Sequence, residues 1–275
     1  MITKDGVLLY GEYHRIVARA EDYIYLLPHP ALQKWISNYT ITFPNNISLD
    51  YSIIPHGCAT LVFSMNGDEV SSSLFGPISK LCEVGRQANA FHALCIIEFQ
   101  PAGLFAFTGI DQKELTDQII PFELINPALN QLLSEKLIRS QTIYDFITDI
   151  EQIFLTFAHK EHPNELCSAV HTIINTGGNI RNKELSSRIH YSERHLDRIF
   201  NQHLGMSIKS FSRLVRINKA IKLLRYHQNT ITSSGIIAGY YDLSHFIHEF
   251  KSICDITPQE YLASMSDFYS EIAKF

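Results

Sequence analysis

Arg194, Arg198 and Asn201 stand at i, i+4 and i+7 of one short run. On an α-helix that spacing puts all three on one face. Two guanidinium forks and an amide suit bidentate hydrogen bonding to the guanine and adenine edges that DNA exposes in its major groove. A solvated helix face is the commoner fate of surface arginines, and charge alone would favour that plainer reading. The surrounding pattern shifts the balance. Ser192 can cap the helix, Leu196, Ile199 and Phe200 fall on its opposite face, and Gly205 supplies a left-handed terminator. Before it, Asn182 can cap a short helix carrying Leu185 and Ile189, and His190-Tyr191-Ser192 makes a tight turn. Helix, turn and capped helix together form a unit able to offer one face to a duplex.

The layout recurs downstream. A short helix ends at Gly239, Asp242 caps the next, and Phe246 and Phe250 face inward. Between the two units the sequence predicts a helix from Ser207 to Tyr226, roughly 30 Å long. Successive major-groove openings on one side of DNA lie about 34 Å apart. A rigid spacer of that length can hold two recognition helices against adjacent grooves.

The run Ser192-Glu193-Arg194-His195-Leu196-Asp197-Arg198-Ile199-Phe200, followed by Gly205-Met206-Ser207, resembles the first DNA-binding unit of the AraC/XylS family of transcription regulators. Gly239-Tyr240-Tyr241-Asp242-Leu243-Ser244-His245-Phe246, then Phe250-Lys251 and Thr257-Pro258-Gln259-Glu260-Tyr261, is similar to that family's second unit. The resemblance covers about a hundred residues in order. It implies double-stranded DNA as partner and RNA polymerase as a further one if the chain activates transcription; a cytoplasmic location is expected because Met1-Ile2-Thr3-Lys4-Asp5-Gly6 lacks the basic-then-apolar layout of a signal peptide. By family position Arg194, Asp197 and Arg198 would address bases in the first unit, and Leu243, Ser244 and His248 in the second. A DNA-repair methyltransferase shares such units but depends on a cysteine in a Pro-Cys-His-type site, and no cysteine here has that context.

There are departures. His248, followed by Glu249, stands where an arginine is common; Cys254-Asp255 replaces an aromatic-glycine pair; Ser234-Gly235 replaces a buried Ile-Ala. Charge is also uneven. Net charge is −5, yet residues 181–225 hold 11 basic against 3 acidic groups, while 226–275 hold two lysines against six acids. Because phosphate contact dominates affinity, the first unit is expected to supply most of the binding. The pairs His159-x-x-His162 and His245-x-x-His248 have helical spacing but no third ligand, so no metal or other cofactor is expected; the linker pair is expected to be solvent-exposed. The five cysteines, odd in number and widely spaced, read as small buried apolar groups in a reducing compartment.

Residues 1–160 must form the other part of the molecule. They are acidic, with 10 Lys/Arg against 18 Asp/Glu over 1–164. Runs of Ile, Val, Leu, Tyr and Phe around 50–63 and 91–99, broken by Pro55, Gly57, Asn66, Gly67 and Pro101, predict strands and turns. Two helices follow: one opened by Asn126-Pro127 with Leu129, Leu132, Leu133 and Leu137, the other from about 141 to 158 with Ile143, Phe146, Ile147, Ile150, Phe154 and Phe157 in one stripe. That stripe either packs on its own sheet or forms a homodimer seam. The polar stretch 159–164 reads as a linker.

The fold class is therefore α+β. An N-terminal β-rich domain (1–160) with trailing helices precedes an all-α domain (165–265) of two helix-turn-helix units joined by a long helix. The resemblance implies that the first domain senses an effector and dimerises, and that it is often cupin-like. His56, Arg86, His92 and Glu98 are candidate pocket groups, equally readable as turn, surface or strand residues. Pro55-His56-Gly57-Cys58, Gln100-Pro101-Ala102-Gly103 and Leu115-Thr116-Asp117 are similar to a sensor half found in some such regulators. Three function classes follow: a regulator controlled by a small molecule, an effector-independent regulator whose first half only oligomerises or binds another protein, and an enzyme. The last lacks a nucleophile–base pair, a phosphate-cradling loop or a metal set. No apolar run reaches the ~20 residues needed to span a bilayer, so no membrane partner is expected.

Overall fold

A computed structural model describes residues 2–5, 16–44, 51–85, 90–158, 160–226 and 229–264. Arg86, His159, Asp267 and Glu271 lie outside these.

Among the described residues, nine strands build the first half: β1 (Ile16–Arg19), β2 (Tyr23–Leu26), β3 (Ile36–Thr42), β4 (Tyr51–Ile53), β5 (Thr60–Asn66), β6 (Glu69–Phe75), β7 (Cys82–Gly85), β8 (Ala93–Phe99) and β9 (Ile119–Pro121). Seven form an antiparallel sheet in the order β1-β2-β3-β8-β5-β6-β9, and β4 pairs with β7 in a separate ribbon. β5 and β6 are joined by Gly67-Asp68, a two-residue loop whose Gly67 takes the positive φ (58°) that tight hairpins need. Alternation along the central strands sends Tyr39 and Ile41, Leu61, Phe63 and Met65, and Cys95, Ile97 and Phe99 into one core. The opposite face of β8 is covered too, so all seven of its residues are buried.

Two helices complete that core after a short α1 (Phe105–Thr108). α2 (Pro127–Arg139) starts on the expected cap: Asn126 accepts the Leu129 N–H, and Pro127 follows. It buries Leu129, Leu133 and Leu137 and leaves Leu132 exposed. α3 (Ile143–Phe157) is capped by Thr142 and buries Ile143, Phe146, Ile147, Ile150 and Phe154 in the same core as the sheet. The Phe154 ring lies 4.9 Å from Phe107 and 6.4 Å from Phe99, both edge-on. Its stripe is thus packed inside the chain, which removes those residues from any dimer seam.

Among the described residues, seven helices make the second half: α4 (Asn164–Asn175), α5 (Asn182–Ile189), α6 (Glu193–Leu204), α7 (Ile208–Tyr226), α8 (Ile231–Ala238), α9 (Leu243–Cys254) and α10 (Pro258–Ser264). α7 is the axis, burying Phe211, Leu214, Val215, Ile217, Ala220, Ile221 and Leu224 against neighbours on several sides. The second core contains Leu166, Leu185, Leu196 and Phe200 at one end and Phe246, Phe250 and Tyr261 at the other, and also takes in Ile54 and Ala102 from the first half.

Three local expectations are corrected. Asn182 is the first residue of α5 rather than its cap; the cap position is Arg181, with no side-chain hydrogen bond. His162 is half-buried, not a solvent-exposed linker residue, because its ring packs 5.5 Å from Phe105 and 5.8 Å from His203. Cys58, Cys95 and Cys254 are buried as expected, but Cys82 is half-buried and Cys167 exposed. Burial raises the Cys95 thiol well above its ordinary value, and partial burial raises Cys167 as well.

Candidate nucleic-acid interface

α6 is held in place before it can present anything. Ser192 Oγ accepts the His195 N–H at 3.2 Å, and Gly205 ends the helix at φ 74°. Leu196, Ile199, Phe200 and Leu204 are buried on one side. His195 stacks on Tyr191 (4.9 Å) and reaches Glu165 of α4 with Nε2 at 3.2 Å. A backbone hydrogen bond at its own position, then His195, hold the Glu165 carboxyl below its ordinary range. The turn before α6 is the tight one the sequence suggests, with His190 at φ 60°.

On the opposite side Arg194 and Arg198 are exposed. Their two companions are placed differently. Asp197 is half-buried, and its Oδ1 accepts the Ile208 N–H at 3.1 Å, capping the first residue of α7. Asn201 is half-buried and donates from Nδ2 to the Asp197 carbonyl at 2.7 Å. The guanidinium pair faces outward, while the carboxylate ties α6 to α7 and the amide is bonded along its own helix.

The second unit follows the same plan. Thr230 caps α8, Gly239 ends it at φ 105°, and Asp242 Oδ1 accepts the His245 N–H at 2.7 Å to start α9. Phe246, Phe250 and Ile253 are buried, and Leu243, Ser244 and His248 are exposed. Ser244, His248, Ile247, Lys251 and Ser252 line an open hollow of about 520 Å³.

The departures from the expected motif have physical reasons. A Cβ on Gly235 would lie 2.8 Å from the Phe246 ring, so losing the alanine methyl lets the α9 ring seat directly on α8 backbone. Asp255 takes the left-handed position (φ 55°) that Gly205 fills in the first unit, and aspartate is among the few non-glycine residues that tolerate it. Glu249 is buried on α9, where its Oε1 accepts the Tyr240 hydroxyl at 3.0 Å. Sequence reasoning counted Arg213 and Arg216 only as positive charge. In the fold Arg213 Nε lies 3.3 Å and Arg216 Nη1 3.7 Å from the Glu249 carboxylate. The available signal was an acid on the buried stripe of α9, three residues after Phe246.

The first half touches both α6 and α9 at their C-terminal ends. Gln202 Nε2 donates to Asp111 Oδ1 at 3.1 Å, and Thr116 Oγ1 donates to the Gly205 carbonyl at 3.0 Å. His203 packs edge-on to Phe105 at 4.8 Å. On α7, Asn218 Nδ2 donates to the Pro55 carbonyl at 3.0 Å, and the Leu81 N–H donates to the Ile253 carbonyl of α9 at 3.2 Å. Of the candidate pocket groups, His56 is buried and accepts the Cys58 N–H at 3.2 Å within its own turn. His92 is exposed beside Phe43, and Glu98 is buried on β8 between Asn38 and Thr60 of the flanking strands. The structure does not gather these three at one point. Among the described residues no group of three metal-ligating side chains occurs, and no helix is long and apolar enough to cross a membrane.

Comparison with known proteins gives two family matches. Residues 185–264 match a helix-turn-helix domain, and residues 25–121 match a domain of unknown function. An uncharacterised HTH-type transcriptional regulator of Haemophilus influenzae is 36% identical over 69 residues, covering 25% of this chain and 23% of its own length. The transcriptional activator RhaR of Pectobacterium carotovorum is 33% identical over 72 residues, 26% of this chain and 25% of its own. The chain thus spans about a quarter of the length of these curated relatives. Among solved structures, a regulator with an AraC-type DNA-binding domain from Chromobacterium violaceum aligns with 38% of this chain and 94% of its own, at 25% identity and TM-score 0.36. ToxT from Vibrio cholerae aligns with 90% and 97%, at 14% identity and TM-score 0.45.

Proposed function

We propose that the chain is a sequence-specific DNA-binding transcription regulator of the AraC/XylS kind, a reading supported by the match of residues 185–264 to a helix-turn-helix domain and by the HTH-type transcriptional regulators that this region resembles. Residues 165–265 form its DNA-binding domain, and residues 1–160 form a domain that senses a small molecule and modulates binding. The observation that carries the reading is the pair of capped helices, α6 and α9, each with polar groups on its exposed face and a buried apolar back. The axis helix between them has 19 residues, about 28 Å of rise, against the ~34 Å groove repeat.

In this reading Arg194 and Arg198 contact bases or phosphates in one groove, and Leu243, Ser244 and His248 face the next. Asp197 and Asn201 belong to the first site chiefly by fixing the helix that carries the arginines. The first unit dominates affinity, since it holds the strongly basic segment. Control by residues 1–160 is supported by direct hydrogen bonds between the two halves: Asp111 and the Pro55 carbonyl accept from Gln202 of α6 and Asn218 of α7, and Thr116 donates to the Gly205 carbonyl.

The test is titration of the full chain against DNA that it selects from a random library. Arg198→Ala is expected to cost ~1–3 kcal/mol of specific binding, and His248→Ala appreciably less. Equal losses would overturn the asymmetry, and no loss from Arg198→Ala would overturn the assignment of α6.

A further inference from the structure

We infer that Glu249 is a positioning residue that fixes the angle between the two recognition helices, and hence the half-site separation the chain accepts. The proposal rests on the DNA-binding reading above. Glu249 lies on α9 itself, directly after His248, yet its carboxylate points inward and is buried. It draws together side chains from the turn before α9 and from α7. Oε1 accepts the Tyr240 hydroxyl from the turn before α9, and Oε2 lies 3.3 Å from Arg213 Nε on α7. Arg216, also on α7, places Nη1 3.7 Å from Oε1 and donates from Nη2 to the Gly178 carbonyl at 2.9 Å, in the turn between α4 and α5. Arg213 in turn donates to Ser252 Oγ at 2.9 Å, one turn further along α9.

A continuous polar chain therefore runs from the second recognition helix through the axis helix into the first unit. Apolar packing on its own is non-directional and permits α9 to roll. A buried carboxylate with a phenol and two guanidinium groups around it has few equivalent arrangements, because any roll strands a charge away from water. The same cluster lines a cleft of about 450 Å³ between α7 and α9, together with Lys209, His245 and His248. Movement of α9 by one base step would reshape that cleft and break the Arg213 contact.

The experiment uses full-length protein and a duplex it has selected that carries two half-sites. Spacing variants are made by adding or removing one and two base pairs, alongside a duplex with the first half-site alone. Wild type is expected to lose roughly tenfold or more on a one-pair change, comparable to a mismatched base pair. Glu249→Gln keeps the shape and the acceptor for Tyr240 but removes the charge. It should lose only about threefold at the same change, with affinity for the lone half-site unaltered. Arg213→Gln, which removes a cation and leaves Glu249 paired with Arg216, should flatten the profile in the same sense and covers the case in which Glu249→Gln fails to fold. An unchanged spacing profile in the folded variants overturns the proposal. So does a uniform gain in affinity on every duplex, which would make Glu249 only a charge that offsets two arginines. Failure of the wild type to select any paired half-sites would bring down the regulator reading itself.

Discussion

Gly205 sits where the recognition helix α6 ends against the first half of the chain, and Gly205→Ala tests whether that contact is direct. The residue has φ 74°, so a side chain there costs about 1–2 kcal/mol of backbone strain wherever it occurs. The new Cβ would also collide with Thr116 Oγ1 and lie 2.9 Å from the Gln112 carbonyl oxygen. Relief requires the 112–116 segment to retreat. That loses the hydrogen bond from Thr116 to the Gly205 carbonyl, about 1 kcal/mol, and adds an overpacking cost of about 1–3 kcal/mol. The single substitution should therefore destabilise the chain by about 3–6 kcal/mol. In a Thr116→Ala background the obstructing oxygen and its bond are already gone, so the same change should cost about 1–2 kcal/mol less. The assay is urea denaturation of the four proteins followed by far-ultraviolet circular dichroism, reading the midpoint at constant slope. A cycle that closes to within ~0.5 kcal/mol would refute a direct contact, because independent sites add to that accuracy.

Other perturbations have equally definite outcomes. Ser192→Ala removes the cap of α6 and should cost about 1 kcal/mol in thermal or urea unfolding. Phe154→Ala opens the centre of the first core and should cost about 3–5 kcal/mol by the same measurement. Burial, then the charges of His203 and Lys34, lower the His162 imidazole to about 4. The unfolded chain consequently takes up its proton first. The stability this group contributes is complete above pH ~6.5 and drains as pH falls toward 4, by ~3 kcal/mol at most. Midpoints measured across that range should fall less steeply in His162→Gln, and identical slopes would exclude the group. Lys209 is exposed at the start of α7; if it meets phosphate, Lys209→Ala should reduce the slope of log K against log salt by ~0.9 with sequence preference unchanged.

The sequence disclosed most clearly what is governed locally. Asn126, Ser192, Asp242 and Thr257 all cap helices as their types and neighbours imply, and Gly205 and Gly239 end them with positive φ. Capping is decided within four residues, so it can be read without the fold. Asn182 was the exception, because proline-free polar segments offer several nearly equivalent starts. The Ile143–Phe157 stripe showed that a face would be buried but not against what: periodicity has no record of the partner surface. His162 escaped for the same reason, since Phe105 and His203 are far from it in sequence and close only in space.

Charge is where reading by composition and reading by structure diverge most. The strongly basic segment 181–225 suggests a broad cationic surface, yet several of its charges are paired with carboxylates of the same chain. Arg188 pairs with Glu184 at 2.7 Å, and Arg213 and Arg216 close on Glu249. Arg213 and Arg216 of α7 thus serve the joint between the two units, while the arginines of α6 stand in solvent. A buried acid in the second recognition helix lowers that unit's attraction for phosphate and at the same time supplies its orientation. In the proposed reading the electrostatically weaker unit is held at a set angle by Glu249, so it can contribute to specificity through geometry where it contributes little through charge. The two roles separate experimentally: added salt should weaken binding chiefly through the first unit and leave the preference for half-site spacing intact. A spacing preference that faded in step with affinity as salt rose would mean that phosphate contacts, and not the clamp between α7 and α9, hold the second helix in register.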